Sequence, residues 1–347
     1  MPSESKPRER GLTAVDLFAG CGGLTQGLKT AGFQVLAAVE CDGKAAEAYR
    51  DNHPATIVHE EPIARVDPRS LMRELALRKG SLDLLAGCPP CQGFSSMRTL
   101  NGSRIVDDDK NELVFAFLEF ILTMKPKTVL MENVPALVKD SRFLRVQHEL
   151  ERAGYKCRAE ILDAADYGVP QRRRRMLLTA TRIGAIEPPS PVEQRTTVRH
   201  AIESLPPPGH TGDPLHDLPV RRSPIVLERI RMIPKDGGSR SDLGLEHQLA
   251  CHRRCDGFKD VYGRMKWDDV APTITSGCIN PSKGRFLHPE QDRAITLREA
   301  ALLQGFDMSY RFPIHRGRYP LAELIGNAIP AEFVRRQAAA LRQRLEG

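Results

Sequence analysis

Leu12-Thr13-Ala14-Val15-Asp16-Leu17-Phe18, followed at once by Ala19-Gly20-Cys21-Gly22-Gly23 and then by Leu24-Thr25-Gln26-Gly27-Leu28, reads as strand, glycine turn and helix. Glycines in such a turn let a ligand lie against the backbone, and the helix start offers unpaired N–H groups. The next apolar run, residues 33–39, reads as a second strand and ends in Glu40. An acid at the end of a second strand is placed to accept hydrogen bonds from ribose hydroxyls. The opening stretch therefore predicts one half of an α/β sheet built to hold a nucleoside.

The pattern continues outward from there. Residues 81–86 and 128–131 read as buried strands, and so do 155–162 and 176–180; helical spacing spans 110–124 and 143–153, with Gly154 as a stop. The fold class expected is α/β, with a mostly parallel Rossmann-like sheet and a smaller second unit. The glycine turn matches neither the six-residue dinucleotide fingerprint nor the P-loop pattern, and without a pyrophosphate to cradle, S-adenosylmethionine is the natural nucleoside ligand. After the strand at 81–86 comes Gly87-Cys88-Pro89-Pro90-Cys91-Gln92-Gly93-Phe94-Ser95, which sets the Cys91 thiol on a proline-stiffened loop at the ligand edge of the sheet. The strand at 128–131 ends in Glu132 on the same edge. Residues 92–109 lack periodicity and read as a lid over substrate, with Arg98 and Arg104 available to phosphates.

The 347 residues are 41% hydrophobic and carry a net charge of +7, enough to bury a sizeable core. No apolar run is long enough to span a bilayer, and the start lacks the apolar core of a secretion signal, so the expectation is a cytoplasmic, nucleoid-associated protein. Eight cysteines in that setting read as reduced thiols. The positive charge is clustered, in Gln171-Arg172-Arg173-Arg174-Arg175, in Arg253-Arg254, and in Arg264, Lys266, Lys283 and Arg285. Such clusters suit phosphates. Strand alternation places Arg173 and Arg175 on one face and Arg172 and Arg174 on the other.

Five blocks, in order, carry a resemblance: residues 16–23, Pro89-Pro90-Cys91-Gln92, Glu132-Asn133-Val134, Gln171-Arg172-Arg173-Arg174-Arg175 and Gly326-Asn327-Ala328-Ile329-Pro330. Over nearly its full length the sequence resembles the DNA (cytosine-5) methyltransferases, which use S-adenosylmethionine. The resemblance implies that Cys91 adds to carbon 6 of cytosine, that Glu132 grips the pyrimidine edge, and that Arg173 and Arg175 lie near the base. It implies a cofactor pocket of Phe18, Ala19, Gly20, Gly22, Gly23, Glu40, Cys41, Ile63, Pro90, Leu113, Asn327 and Ala328. One position departs from the family pattern: Pro62 stands where many members carry an aspartate that reads the adenine amine, and Asp83 or a backbone carbonyl is the expected substitute.

Domain limits follow the composition. Residues 1–183 form the expected catalytic and cofactor unit, 184–285 a proline-rich hinge and target-recognition unit, and 286–347 a segment returning to the first. DNA contacts are expected from Gln92, Ser95, Arg98, Arg104, Gln171, Arg253, Arg254, Arg264, Lys266, Lys283 and Arg285. No metal is expected, since Cys251, His252 and Cys255 lack a second ligand pair at zinc-finger spacing. The expected partner is double-stranded DNA, with a cognate restriction endonuclease acting separately, and the chain is expected to act as a monomer. Two other functions fit parts of the pattern. A tRNA cytosine-5 methyltransferase would be expected to carry a Cys-Phe-Thr block, which is absent; a catalytically silent DNA-binding regulator would be expected to have lost the thiol or the glutamate, and both are present.

Overall fold

The computed structural model describes residues 11–90, 112–244, 247–248 and 260–347. Seven strands form one sheet: β1 (Leu12–Leu17), β2 (Phe33–Val39), β3 (Ile57–His59), β4 (Leu84–Gly87), β5 (Thr128–Asn133), β6 (Lys156–Asp163) and β7 (Arg174–Thr181), in the order β3-β2-β1-β4-β5-β7-β6. All neighbours run parallel except β7, which is antiparallel to both β5 and β6. The strand order reverses between β1 and β4, and in sheets of this kind ligands bind in the crevice that opens at that reversal.

Parity along each strand decides what each layer sees. Val15 and Leu17, Leu85, Val129 and Met131, with Met176 and Leu178, face α3 (Pro68–Glu74), α4 (Leu113–Met124) and α5 (Ser141–Arg152) through a core that includes Leu71, Phe117, Phe120 and Phe143. Ala14, Leu84, Ala86, Leu130 and Leu177 face the other way, toward α1 (Gly23–Thr30) and the C-terminal helix, α10 (Ala331–Glu346), which contributes Phe333 and Val334 to this core. Gly27 is required where these two helices meet, because a Cβ there would fall 2.5 Å from both the Ala331 carbonyl oxygen and Val334. The C-terminal segment thus closes one face of the sheet.

Packing runs on past residue 184. Val198 and Ile202 of α6 (Val198–Ile202) share a core with Met265 and Phe286, with α8 (Leu297–Leu303) and α9 (Arg318–Asn327), and with Ala45 and Ala48 of α2 (Gly43–Asn52). A smaller cluster gathers Ile230 of α7 (Pro224–Met232) with Ile233, Leu243, Val261, Tyr262, Leu287 and Ala294. Among the described residues no helix is long and apolar enough to cross a membrane.

Arg264, expected at a DNA surface, is fully buried beside this smaller cluster. Its guanidinium donates to the carbonyl oxygens of Ile230, Ile233, His288 and Gln291 at 2.6–3.0 Å and to Asp292 at 2.5 Å. A charge buried this completely is tolerated because its donors are satisfied. Arg285 is likewise committed to the fold, donating to Asp260 and to the carbonyls of Gly237, Gly238 and Arg264. The Arg264 guanidinium is closed to DNA and that of Arg285 is only partly exposed, whereas Lys266 and Lys283 are exposed. Arg264→Ala should therefore cost about 3 kcal/mol or more, since several buried carbonyls lose their donors together. Urea unfolding measures it, and Arg264→Lys should recover less than half of the loss, because one ammonium cannot reach all five acceptors.

Candidate active site

The glycine turn leaves β1 through Phe18 (φ 60°), half-buried in the left-handed region, and Gly20 (φ 56°). A Cβ added at Gly20 would meet nothing within 4 Å, so the turn faces open space there. Gly22 and Gly23 instead sit against protein: a Cβ would strike His53 and Tyr310 from the first, and the Ile329 carbonyl from the second. Ala19 is buried, and its N–H donates to the Val39 carbonyl at the end of β2.

Glu40 follows β2 directly. One carboxylate oxygen accepts from the Gly20 N–H at 2.7 Å and the other from the Asp42 N–H at 2.8 Å, so backbone fixes the carboxylate beside the turn. Burial pushes its pKa up, and the two amide donors oppose that rise. Cys41 is exposed next to it, and Ile63 is buried in a 3-10 turn after β3. An aromatic ring, a fixed carboxylate with lone pairs remaining, an apolar wall and a backbone open at Gly20 fit the nucleoside end of S-adenosylmethionine. Pro62 is exposed and brings no polar side-chain atom to that pocket. Asp83 cannot replace the missing reader, because it precedes β4 at the opposite end of the sheet. There it accepts from the Thr13 N–H at 2.8 Å and from the Lys127 ammonium at 2.6 Å.

At the neighbouring strand ends, the Cys88 N–H donates to the Leu17 carbonyl and the Asn133 amide donates to the Pro89 carbonyl at 2.8 Å. The loop is thereby pinned to β1 and β5 up to Pro90, which is half-buried. Cys91, Gln92, Ser95, Arg98 and Arg104 lie outside the described residues, as do Arg253 and Arg254. Burial pushes the Cys88 thiol well up, with Glu132 adding to the rise, so Cys88 is a poor nucleophile. Leu113, half-buried, opens α4.

Glu132 is the next-to-last residue of β5 and only 8% exposed. Arg175 Nε meets its Oε1 at 2.8 Å. Arg173, on the same face, is buried and donates to the carbonyls of Ile274 at 3.1 Å and Gly326 at 3.2 Å, while its Nε has no partner. Burial, with the charge of Arg175, lowers its pKa to about 9. Arg172 and Arg174 are exposed, as strand alternation predicts. Gln171, expected at the DNA, is fully buried and holds the frame. Its amide donates to the Leu303 carbonyl and to Gln304, and its oxygen accepts from the Ile274 N–H. Gln304 in turn donates to the Ala328 carbonyl. Asn327 is exposed and Ala328 half-buried at the end of α9, tied through these links to Arg173. Asn133 and Gln304 were not expected to hold the site; an amide next to the Glu132 strand end was the only local signal for the first.

A family model for C-5 cytosine-specific DNA methylase matches residues 12–343. The chain is 39% identical over 350 residues to Type II methylase M.HgiDII of Herpetosiphon aurantiacus, covering 96% of each. It is 32% identical to Type II methyltransferase M1.HphI of Haemophilus parahaemolyticus, over 92% of this chain and 83% of that one. Among solved structures, one described as a DNA modification methyltransferase encoded within an E. coli prophage superposes with a TM-score of 0.74 at 23% identity. That match covers 97% of this chain and 100% of the other.

Beneath the glycine turn lies a buried polar group whose charge state follows pH. Asp16, at the end of β1, accepts from the Thr25 hydroxyl at 2.7 Å, and that hydroxyl also contacts the Tyr49 hydroxyl; the other Asp16 oxygen has no partner. Burial raises its pKa to about 7. The folded value lies above the unfolded one, so the stability carried by the neutral carboxyl is complete below about pH 4 and is lost as pH rises through 7. His53 works in the opposite sense: burial lowers it to about 4, so stability is lost as pH falls from the ordinary imidazole range through that value. Asp16→Asn removes only the first effect. Urea titrations from pH 4 to pH 8 should show the variant gaining on the wild type by about 1 kcal/mol per pH unit up to pH 7.

Proposed function

The chain belongs to the C-5 cytosine-specific DNA methylase family, and from that premise we propose that it methylates a cytosine extruded from duplex DNA through a covalent adduct with Cys91. Its activity is DNA cytosine-5 methylation, with S-adenosylmethionine as the methyl donor. The observation that carries the finer reading is the meeting of Glu132, Arg173 and Arg175 beside the strand end from which the Pro89-Pro90-Cys91 loop departs.

Carbon 5 of cytosine is a poor nucleophile, and adding a thiolate at carbon 6 makes it an electron-rich enamine carbon. Cys91 forms the sulfur–carbon 6 bond, and the displaced electron pair is drawn toward ring nitrogen 3, where Glu132 delivers a proton and holds the exocyclic amine. Arg175 keeps the Glu132 carboxyl in place and Arg173 anchors the segment at Ile274 beneath it. When bound, the cofactor supplies an electrophilic methyl group on a sulfonium, which carbon 5 takes. Return of the ring nitrogen 3 proton to Glu132, loss of the carbon 5 proton to a base and rupture of the carbon 6–sulfur bond then restore the aromatic ring and release the Cys91 thiolate. Phe18, Glu40, Cys41 and Ile63 hold the nucleoside end of the donor, with Pro90, Leu113, Asn327 and Ala328 toward its methionine end.

A base inside a duplex is out of reach of this edge, so extrusion is needed, at a cost of a few kcal/mol. Residues 184–285 are assigned to target recognition, with Lys266 and Lys283 as exposed candidates there, and Arg253 and Arg254 assigned to the same role. The Type II names of the relatives support a place in restriction–modification, with the chain working as a monomer in the nucleoid and protecting DNA from a separate endonuclease.

Expression in a methylation-free host, followed by sequencing of methylated DNA, identifies a substrate duplex. On it, Cys91→Ala should bind cofactor as the wild type does and show no methyl transfer; retained turnover would remove Cys91 from its role. A duplex with 5-fluorocytosine at the target has no carbon 5 proton to lose, so it should trap a denaturation-resistant protein–DNA adduct in the wild type only. Glu132→Gln should lower kcat by about 10²–10⁴-fold with cofactor affinity unchanged.

A further inference from the structure

Several surface arginines of the described residues are neutralised locally: Arg199 by Asp268 and Glu203, Arg316 by Glu47, Arg335 and Arg336 by Glu332. Arg222 and Arg318 are not, and they share one cavity. They line one side of this cavity, of about 220 Å³, and among the described residues neither has a carboxylate within ion-pair distance. The acids that share this cavity are already engaged. Asp217 accepts from the N–H groups of Gly209, Thr211 and Gly212, and Asp292 is held by Lys235 and Arg264.

Arg222 is half-buried and fixed by a bond to the Ile279 carbonyl, and Arg318 lies 5.0 Å over the ring of Tyr319, which is 62% exposed. Burial, with the charge of Arg318, lowers the pKa of Arg222, so the two cations that line this cavity repel one another. Like charges held together without a counterion are costly unless an anion completes the site. Exposed Arg221 adjoins Arg222, and exposed Lys283 follows the Asn280 wall, so the field extends beyond the pair.

Two connections join this patch to the active edge. The chain from Ile274, held by Arg173, reaches Ile279, held by Arg222, in five residues. Arg318 is the first residue of α9, whose last, Asn327, is assigned to the methionine end of the cofactor. Ten residues of helix span about 15 Å, or roughly four to five base-pair steps of a duplex.

We propose that Arg222 and Arg318 clamp the phosphodiester backbone of the substrate duplex a few base pairs from the target cytosine. The contact is sequence-independent; Arg222 lies within the 184–285 segment assigned to target recognition, and Arg318 lies beyond it. It rests on the reading of this chain as a duplex DNA methyltransferase, and it assigns to the α9 start and the 220–222 segment a share of the affinity for DNA of any sequence.

The test is equilibrium binding of the full chain to a fluorescent random-sequence duplex and to the methylated-site duplex between 50 and 200 mM KCl. Arg222→Gln and Arg318→Gln should each lower the slope of log affinity against log salt by about 0.9. Each should also weaken binding at the low-salt end by several-fold, equally on both duplexes, with cofactor affinity unchanged. Arg318→Lys should restore the slope and guards against misfolding of the Gln variants. An unchanged slope in Arg318→Gln overturns the proposal. So does loss of inorganic phosphate binding with the duplex slope intact, since the site would then take a free anion. A wild type that neither binds nor methylates any duplex would instead bring down the function itself, which separates the two failures.

Discussion

The direction of one strand decides whether this sheet has an active edge at all. β7 runs antiparallel between β5 and β6, so its first residues lie at the edge where β5 ends. In register, Leu177 sits opposite Glu132 and Met176 opposite Asn133. Arg175, two residues before Leu177 and on the same face, therefore reaches Glu132 diagonally, and Arg173 follows one pleat further out. Had β7 run parallel to β5, its arginines would have emerged at the far edge, and Glu132 would face the crevice without a cation. Parallel pairing of β4 with β5 completes the arrangement by bringing the Pro89–Pro90 loop alongside, where Asn133 fastens it.

A second requirement is that the edge be held rigidly from behind. Arg173, Gln171 and Gln304 grip backbone atoms at Ile274, Gly326, Leu303 and Ala328, so the lead-in to β7 is bonded to α8, the end of α9 and the 271–279 segment. On the cofactor side, Tyr310 donates to the Cys21 carbonyl and His53 sits between Tyr310 and the Gly22 carbonyl. The C-terminal third of the chain thus reaches both halves of the site with hydrogen bonds to backbone. Such bonds fix position regardless of which side chain the neighbouring residue carries, and buried ones are costly to break.

What the sequence disclosed was whatever depends on near neighbours. The β1-turn-α1 unit, Glu40 at the end of β2, and the alternation of Arg172 to Arg175 are set by spacing within a few residues, and each is found as spacing predicts. Arg264 shows the opposite case. Its fate depends on carbonyls from residues 230, 233, 288 and 291 converging on one point, which no local pattern announces. The burial of Gln171 is hidden for the same reason: a polar residue beginning an arginine run looks solvated until Leu303 and Ile274 arrive from more than a hundred positions away. Asp83 precedes β4, at the wrong end of the sheet, and an acid just before a strand and one just after it look alike until strand direction is applied.

The arginines therefore divide by whether backbone has claimed them. Arg173, Arg264 and Arg285 spend their donors on carbonyl oxygens, which ties loops together and leaves little for a ligand. Arg175 spends one on an acid that must itself act. Arg222 and Arg318 keep most of theirs, and they sit where neighbouring acids are already satisfied. A net charge of +7 says nothing about this division. Counting which cations have unmet donors, and where, converts a bulk property into a distribution over the surface.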